Sequence, residues 1–257
     1  MVKWNFNQEA APEKRIYKRY HRASNHSPYT QMVSAPRREY EKRNPVKQDH
    51  KKVLHIPNPE QLGKLECHLS DALLRRRTNW NFSQNNLNEE MLVSLLSFSF
   101  GITDMNNSKR SYPSGGQFYP IEIFLIPLKR VVDHTILEEK VYRYNVDFNE
   151  LVEVKDIDIA SLYQLSGSTD IGFFSFDDAQ VLIFLVANDK LIEKKYLEFT
   201  YRLLLLEAGH MAQNFLLTST ALGLSAVPMG GFHEKVVHQF LGIEDSSYMT
   251  LYTLIGG

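Results

Sequence analysis

The block Pro113-Ser114-Gly115-Gly116-Gln117-Phe118-Tyr119-Pro120, which runs directly into Ile121-Glu122-Ile123-Phe124-Leu125-Ile126, restricts the fold of this chain more than any other stretch. Pro, Ser and paired Gly form a turn whose main-chain N–H groups and small side chains let a flat ligand approach closely. The β-branched and aromatic run behind it fixes that turn to a sheet. A second small-residue turn, Pro228-Met229-Gly230-Gly231-Phe232, has the same character far away in sequence. Two such shelves can close on one planar molecule, and flavin is the leading reading.

With 257 residues, 43% of them hydrophobic, the chain can bury a large core, as one domain or as a domain with an appendage. No apolar run reaches the roughly 18 residues of a membrane helix, and Met1-Val2-Lys3-Trp4-Asn5 lacks the apolar centre of a signal peptide. A cytoplasmic location away from membranes is the expectation. The single cysteine, Cys67, cannot form an intrachain disulfide. It has no Cys or His at ligand spacing, so it is expected to be inert and no metal site is expected.

Charge divides the chain. Residues 1–53 carry 13 Lys and Arg against 5 Asp and Glu, whereas the remainder carry 16 against 25. The basic stretch Lys14-Arg15-Ile16-Tyr17-Lys18-Arg19-Tyr20-His21-Arg22 interleaves aromatics, as nucleic-acid binders do. The near-neutral total favours instead a helix that docks on the acidic body, or on a partner enzyme, through Ile16, Tyr17 and Tyr20. Residues 1–56 read as a basic N-terminal arm and 57–257 as the ligand-binding domain.

Helix starts are expected after Pro12 and at Asn58-Pro59-Glu60, the latter continuing through Leu62, Leu65, Leu69 and Leu73. Asn88-Glu89-Glu90 caps a buried helix ending near Gly101. Ile121–Leu128, Val141–Tyr144, Leu151–Val154, Val181–Val186 and Met249–Gly257 read as strands, with Val181–Val186 apolar enough for a central place. One long helix is expected from about Lys190 to Leu222, stopped by Gly223, with burial on more than one side.

Three constellations carry chemistry. Arg75, Arg76, Arg77 and Thr78 combine charge with a hydroxyl donor, which suits a phosphate, although arginines at a helix end also simply complement its dipole. Glu207, His210 and Asn214 share one helix face, as an acid–base array or as partners inside a helix-packed interface. Lys195-Tyr196 is a potential base pair, but adjacent helical residues point about 100° apart and face one pocket only where a helix begins or a cavity wraps it.

Taken together, Arg76-Arg77-Thr78, Tyr112 to Glu122, Lys195-Tyr196, Tyr201-Arg202, Glu207-Ala208-Gly209-His210, Gln213-Asn214 and Gly230-Gly231-Phe232 resemble the nitroreductase-fold flavoproteins. Among these the SagB-type, or microcin-type, azoline dehydrogenases are most similar, over about residues 60–257. The resemblance implies an α+β fold with a mainly antiparallel sheet flanked by helices, and an interlocked homodimer holding FMN between subunits. It implies that Arg76, Arg77 and Thr78 hold the FMN phosphate or ribityl chain. Pro113, Ser114, Gly115 and Gln117 would line the flavin from the partner subunit, and Pro228, Met229, Gly230 and Gly231 would form the opposite wall. Lys195 and Tyr196 would be the catalytic pair.

The activity implied is oxidation of thiazolines or oxazolines in a ribosomally made precursor peptide to thiazoles or oxazoles, as in bacteriocin biosynthesis. A cyclodehydratase and a leader-peptide-binding protein are the implied partners. The alternative is a free-standing NAD(P)H-dependent nitro- or quinone reductase of the same fold. A non-catalytic scaffold is a further possibility. Three positions depart from the family pattern. Trp80 stands where many nitroreductases carry a second basic residue, the sequence to Gly257 lacks a basic C-terminal pair, and Gln117 replaces a small residue.

Overall fold

The computed structural model describes residues 16–23, 51–82, 86–128, 135–157 and 179–257. Its strands are β1 (Lys52–His55), β2 (Ile102–Asp104), β3 (Lys109–Arg110), β4 (Ile121–Pro127), β5 (Lys140–Asn145), β6 (Glu150–Asp156), β7 (Val181–Asn188), β8 (Ala226–Met229) and β9 (Tyr248–Gly256). Its helices are α1 (Ile16–Ala23), α2 (Pro59–Leu62), α3 (Leu69–Arg75), α4 (Glu89–Phe100), α5 (Glu193–Tyr196), α6 (Thr200–Ala221) and α7 (Glu234–Leu241). Seven strands form one sheet in the order β1-β6-β5-β4-β7-β9-β8, antiparallel at every pairing, while β2 and β3 pair separately. This is the α+β architecture with an antiparallel sheet and flanking helices.

Both sheet faces are covered, which explains the unbroken apolar run of β7 from Val181 to Ala187. Along β4, Ile121, Ile123 and Leu125 join α4 and α6 in one core through Leu95, Phe100, Met211 and Phe215. The alternate residues Phe124 and Ile126 face the other way, into a second core with Phe240 and Leu241 of α7. That two-residue alternation follows from the pleat of a strand. β7 repeats it, with Ile183 and Leu185 on one side and Leu182, Phe184 and Val186 on the other. Its place between β4 and β9 matches the interior position expected for it.

The helices depart from expectation in two places. The continuous pattern from Pro59 to Leu73 is interrupted at Gly63, whose φ of +82° ends α2, so that α3 begins anew at Leu69. Leu69 and Leu73 are consequently exposed rather than buried. The single helix expected over 190–222 is broken at Leu197, where φ is +47°, leaving α5 as one turn ahead of the 22-residue α6. A left-handed residue cannot continue a right-handed helix, and the break turns α5 away from the axis of α6. By contrast α4 starts as expected, with the Asn88 side chain accepting from the Met91 N–H at 2.9 Å.

Residues 52–55, which carry no clear strand signal, add β1 to the sheet beside β6. The helix start expected after Pro12, and the expected basic arm apart from 16–23 and 51–56, lie outside the described residues. Of α1, only Tyr20 meets the body as expected, edge-on to Tyr201 at 5.4 Å between ring centroids. Arg202 Nη2 donates to the His21 carbonyl at 3.3 Å, and Ile16 and Tyr17 remain exposed. No helix among the described residues is long and apolar enough to cross a membrane.

Candidate active site

Antiparallel pairing determines where the two small-residue turns emerge. β4 begins opposite the end of β7, with Ile121 paired to Ala187, and β9 begins there too, with Met249 paired to Ala187. β8 then runs back along β9 and ends with Met229 paired to Thr253. β8 therefore runs toward the end of the sheet where the 113–120 turn emerges, but Met229 stops level with Phe124, the middle of β4, and only Gly230 and Gly231 continue beyond it. With β7 and β9 between them, β4 and β8 are separated by three strand spacings, about 14 Å.

The first turn is wound in the left-handed sense at Gly116 (φ 66°), Gln117 (φ 62°) and Tyr119 (φ 48°). For the two side-chain-bearing residues that conformation costs about 1 kcal/mol or more each, so other contacts must hold it. Ser114 supplies one, since its Oγ accepts from the Tyr119 N–H at 2.9 Å and lies 2.6 Å from Oε2 of Glu207. The turn also lies hard against α6, where a Cβ at Gly115 would come within 3.2 Å of Leu203 Cδ1. Behind it, Arg110 is buried. Its Nη1 donates to Tyr112 at 3.0 Å, its Nη2 donates to Asp147 at 3.1 Å, and its guanidinium lies 4.6 Å from the Tyr119 ring centre.

Gly116 is the meeting point of the site. A Cβ there would lie 2.9 Å from both Lys195 Nζ and Tyr196 Oη, and 3.0 Å from Phe118 Cε2. Both residues lie in α5, a single turn that ends at the left-handed Leu197. Phe118 stands edge-on to Tyr196 at 6.4 Å, and Lys195 Nζ lies 5.3 Å from the centres of both rings. An ammonium over aromatic faces is held in place by their quadrupoles while its tip stays accessible.

A second group forms along the outer edge of the sheet. Thr78 bridges to Ala226 in the parallel sense, and Asn79 Nδ2 donates to Ser225 Oγ at 2.9 Å. This brings Arg76, Arg77 and Thr78 beside the start of β8, whose continuation is Pro228, Met229, Gly230 and Gly231. Gly230 is exposed, with Tyr252 Cε2 at 3.9 Å from a virtual Cβ as the nearest neighbour. Arg77 Nη1 donates to the carbonyls of Leu74 (2.9 Å) and Arg76 (2.7 Å), so this guanidinium closes the end of α3. Thr78, and with it Arg76, thus lies at the Ala226 end of β8, four residues before the open Gly230, and the two offer the charged and hydroxyl donors that a phosphate takes.

The expected face of Glu207, His210 and Asn214 divides among separate tasks. Glu207 is buried on Ser114 and His210 is exposed. Asn214 donates to the Ser111 carbonyl at 3.0 Å and to the Ser99 carbonyl at 3.3 Å, joining α6 to the segment that enters the turn. Burial pushes the Glu207 carboxyl up to about 7, against the smaller opposing effects of Ser114 and Arg110. Burial likewise pushes the Tyr112 phenol up to about 12. Sequence reasoning named Gly116 and Phe118 within the turn but gave neither a role of its own, for which the paired glycines and the aromatic two residues after them were the available signal.

The family model described as Nitroreductase family matches residues 73–257. The chain is 29% identical over 180 residues to the protein named "Putative nitroreductase MJ1384" of Methanocaldococcus jannaschii, covering 70% of this chain and 87% of that one. It is 28% identical over 207 residues to the microcin B17-processing protein McbC of Escherichia coli, covering 79% and 74%. Among solved structures, the E. coli microcin synthetase McbBCD complex with truncated pro-MccB17 bound shares the fold at a TM-score of 0.63 and 22% identity, over 94% of this chain and 91% of that one. A nitroreductase structure from Ralstonia eutropha shares it at 0.66 and 20% identity, over 83% and 92%.

Proposed function

The chain belongs to the nitroreductase family, and from that premise we propose that it is an FMN-dependent azoline dehydrogenase, converting thiazolines or oxazolines of a precursor peptide into thiazoles or oxazoles. The family makes it an oxidoreductase. The observation that carries the finer reading is the convergence of Lys195 Nζ and Tyr196 Oη on Gly116. Reducing a nitro group or a quinone calls for no base held against the flavin shelf, whereas aromatising an azoline requires that a carbon-bound proton be removed.

In this reading Arg76 and Thr78 hold the FMN phosphate, and Pro228 to Gly231 form one wall. The turn Pro113 to Gln117 lines the ring from a second copy of the chain, with Arg77 supporting Arg76 through the end of α3. FMN, when bound, would supply the hydride acceptor for the azoline ring. Lys195 or Tyr196 takes the accompanying proton, so that two hydrogens leave the substrate as hydride and proton. The exposed Lys195 and the half-buried Tyr196 share one contact point, and whichever takes the proton does so as the free amine or the phenolate.

A homodimer supports the same geometry. α3 and α6 pack together and leave Leu69, Leu73, Leu74, Leu205 and Leu206 exposed on the body. Exposed apolar side chains on two packed helices are the kind of surface that an interface covers. The similarity to McbC and to the McbBCD complex supports a cyclodehydratase and a leader-peptide-binding protein as partners, with the basic residues ahead of β1 as an arm that docks on the body or on one of them.

The similarity to MJ1384 favours a second reading, a free-standing NAD(P)H-dependent nitro- or quinone reductase. The two separate in one experiment. The purified protein is tested for the visible spectrum of bound flavin, then offered an azoline peptide in air or a quinone with NAD(P)H. The dehydrogenase reading expects peptide oxidation at a rate well above quinone reduction, and the reverse ranking overturns it.

A further inference from the structure

Glu207 is a carboxylic acid with 2% exposure, placed in a helix interior where an apolar residue would be the cheaper choice. One of its oxygens, Oε2, lies 2.6 Å from Ser114 Oγ, and its other oxygen has no hydrogen-bond partner among the described residues. A buried carboxyl left half satisfied costs stability, so its retention calls for a task that hydrocarbon cannot perform. The same Ser114 hydroxyl accepts from the Tyr119 N–H, five residues further along. One oxygen therefore ties α6 to both ends of a turn in which Gly116, Gln117 and Tyr119 are all left-handed. Leu203, one helical turn before Glu207, presses on Gly115 within the same turn.

We propose that Glu207 is a positioning residue for the reaction above: its carboxyl, acting through Ser114, holds the 114–119 turn in the shape that receives the tips of Lys195 and Tyr196. The inference rests on that functional reading for its catalytic consequence, though the clamp itself is a property of the chain. Glu207 does not touch the reacting atoms. It fixes the floor against which the pair is aligned, since displacement of Gly116 moves the one point both tips share.

The test uses the full-length, flavin-loaded protein and the variants Ser114→Ala, Glu207→Ala, Glu207→Gln and the double alanine. Amide hydrogen exchange is followed at residues 114–119, and kcat and KM are measured for an azoline peptide. The clamp predicts that Ser114→Ala and Glu207→Ala each speed exchange of the turn by about tenfold, the size of one hydrogen bond to a charged group. The double variant should go no further than Ser114→Ala, which removes both the link to Glu207 and the acceptor of the Tyr119 N–H. Glu207→Gln, whose amide oxygen can accept from Ser114, should restore protection and hold kcat within about threefold of wild type. In the alanine variants kcat should fall more than KM rises. Unchanged exchange in Ser114→Ala overturns the proposal even where Glu207→Ala does not fold, and so does a Gln variant no better than Ala. If the wild type oxidises no azoline, the functional reading fails while the exchange measurement still decides the clamp.

Discussion

Lys195 and Tyr196 are neighbours in sequence whose side-chain tips both reach within 2.9 Å of the point where Gly116 would carry a Cβ. Regular helical geometry would send them about 100° apart. The left-handed Leu197 cuts α5 to a single turn, and within it the pair is convergent. A strained backbone residue beside a candidate catalytic pair is a common way of storing geometry at a site.

Replacing Gly116 by Ala should leave the fold intact and damage the chemistry. The new methyl displaces the far ends of two flexible side chains, and the left-handed conformation adds about 1 kcal/mol of strain. The thermal midpoint should drop by only a few degrees. Azoline oxidation should fall by about ten- to a hundredfold, the scale of a misplaced catalytic group. Calorimetry with steady-state kinetics checks both.

Lys195→Ala and Tyr196→Phe should each cost about a hundredfold or more in azole formation, the usual contribution of a positioned proton acceptor. Bound flavin and its reduction by a chemical reductant should be unaffected. Because the two tips share one contact point, the double variant should lose less than the product of the single losses.

The two arginines should behave differently. Arg76→Ala should weaken FMN affinity by about ten- to a hundredfold, as expected for a lost charge-assisted bond to phosphate. Arg77→Ala should change FMN affinity little and lower stability by under about 1 kcal/mol, because its guanidinium is an exposed cap on the Leu74 and Arg76 carbonyls. Fluorescence titration of the apoprotein with FMN, beside urea unfolding, separates the two effects.

Glu207 gives a pH dependence of stability with a definite sign. Its ordinary carboxyl value of 4.5 is pushed up to about 7 in the folded chain by burial. Between these values the folded state holds a proton that the unfolded state has lost, so this contribution is complete below pH 4.5 and is lost as pH rises through 7. The total is about 3 kcal/mol. Glu207→Gln should flatten the curve over this window, and unfolding free energies at pH 5 and pH 8 for both proteins check it.

Leu206→Glu should convert a dimer into monomers at micromolar concentration. Leu206 is 54% exposed on the face that α3 and α6 leave uncovered, and an ion there cannot be desolvated cheaply. Sedimentation equilibrium reads the change, and an unchanged mass would remove this face from the interface.

The sheet was legible in the sequence because its strands announce themselves chemically. Ile121–Pro127 and Val181–Asn188 alternate into two cores, and an apolar run is what burial on both faces requires. The short elements were not legible. β1 at Lys52–His55 is polar on its exposed side, and it is a strand because β6 offers an edge, which local propensity cannot report. The helix breaks at Gly63 and Leu197 were hidden for opposite reasons. A lone glycine is tolerated in many helices, and leucine is a good helix former, so residue type marks neither break. At the site, the two glycine shelves and the Lys-Tyr pair could be named from residue type, but their relation could not. Gly116 as the shared contact, and Ser114 as the link to Glu207, depend on contacts across 79 and 93 positions respectively.

The most direct test of the account is a single turnover without oxygen, with flavin-loaded protein mixed with an azoline peptide while flavin absorbance and peptide mass are followed together. The account predicts that the flavin bleaches at the rate at which the peptide loses two hydrogens, and that Lys195→Ala abolishes both. A flavin that stays oxidised over an unchanged peptide, yet bleaches at once with NAD(P)H, would contradict it.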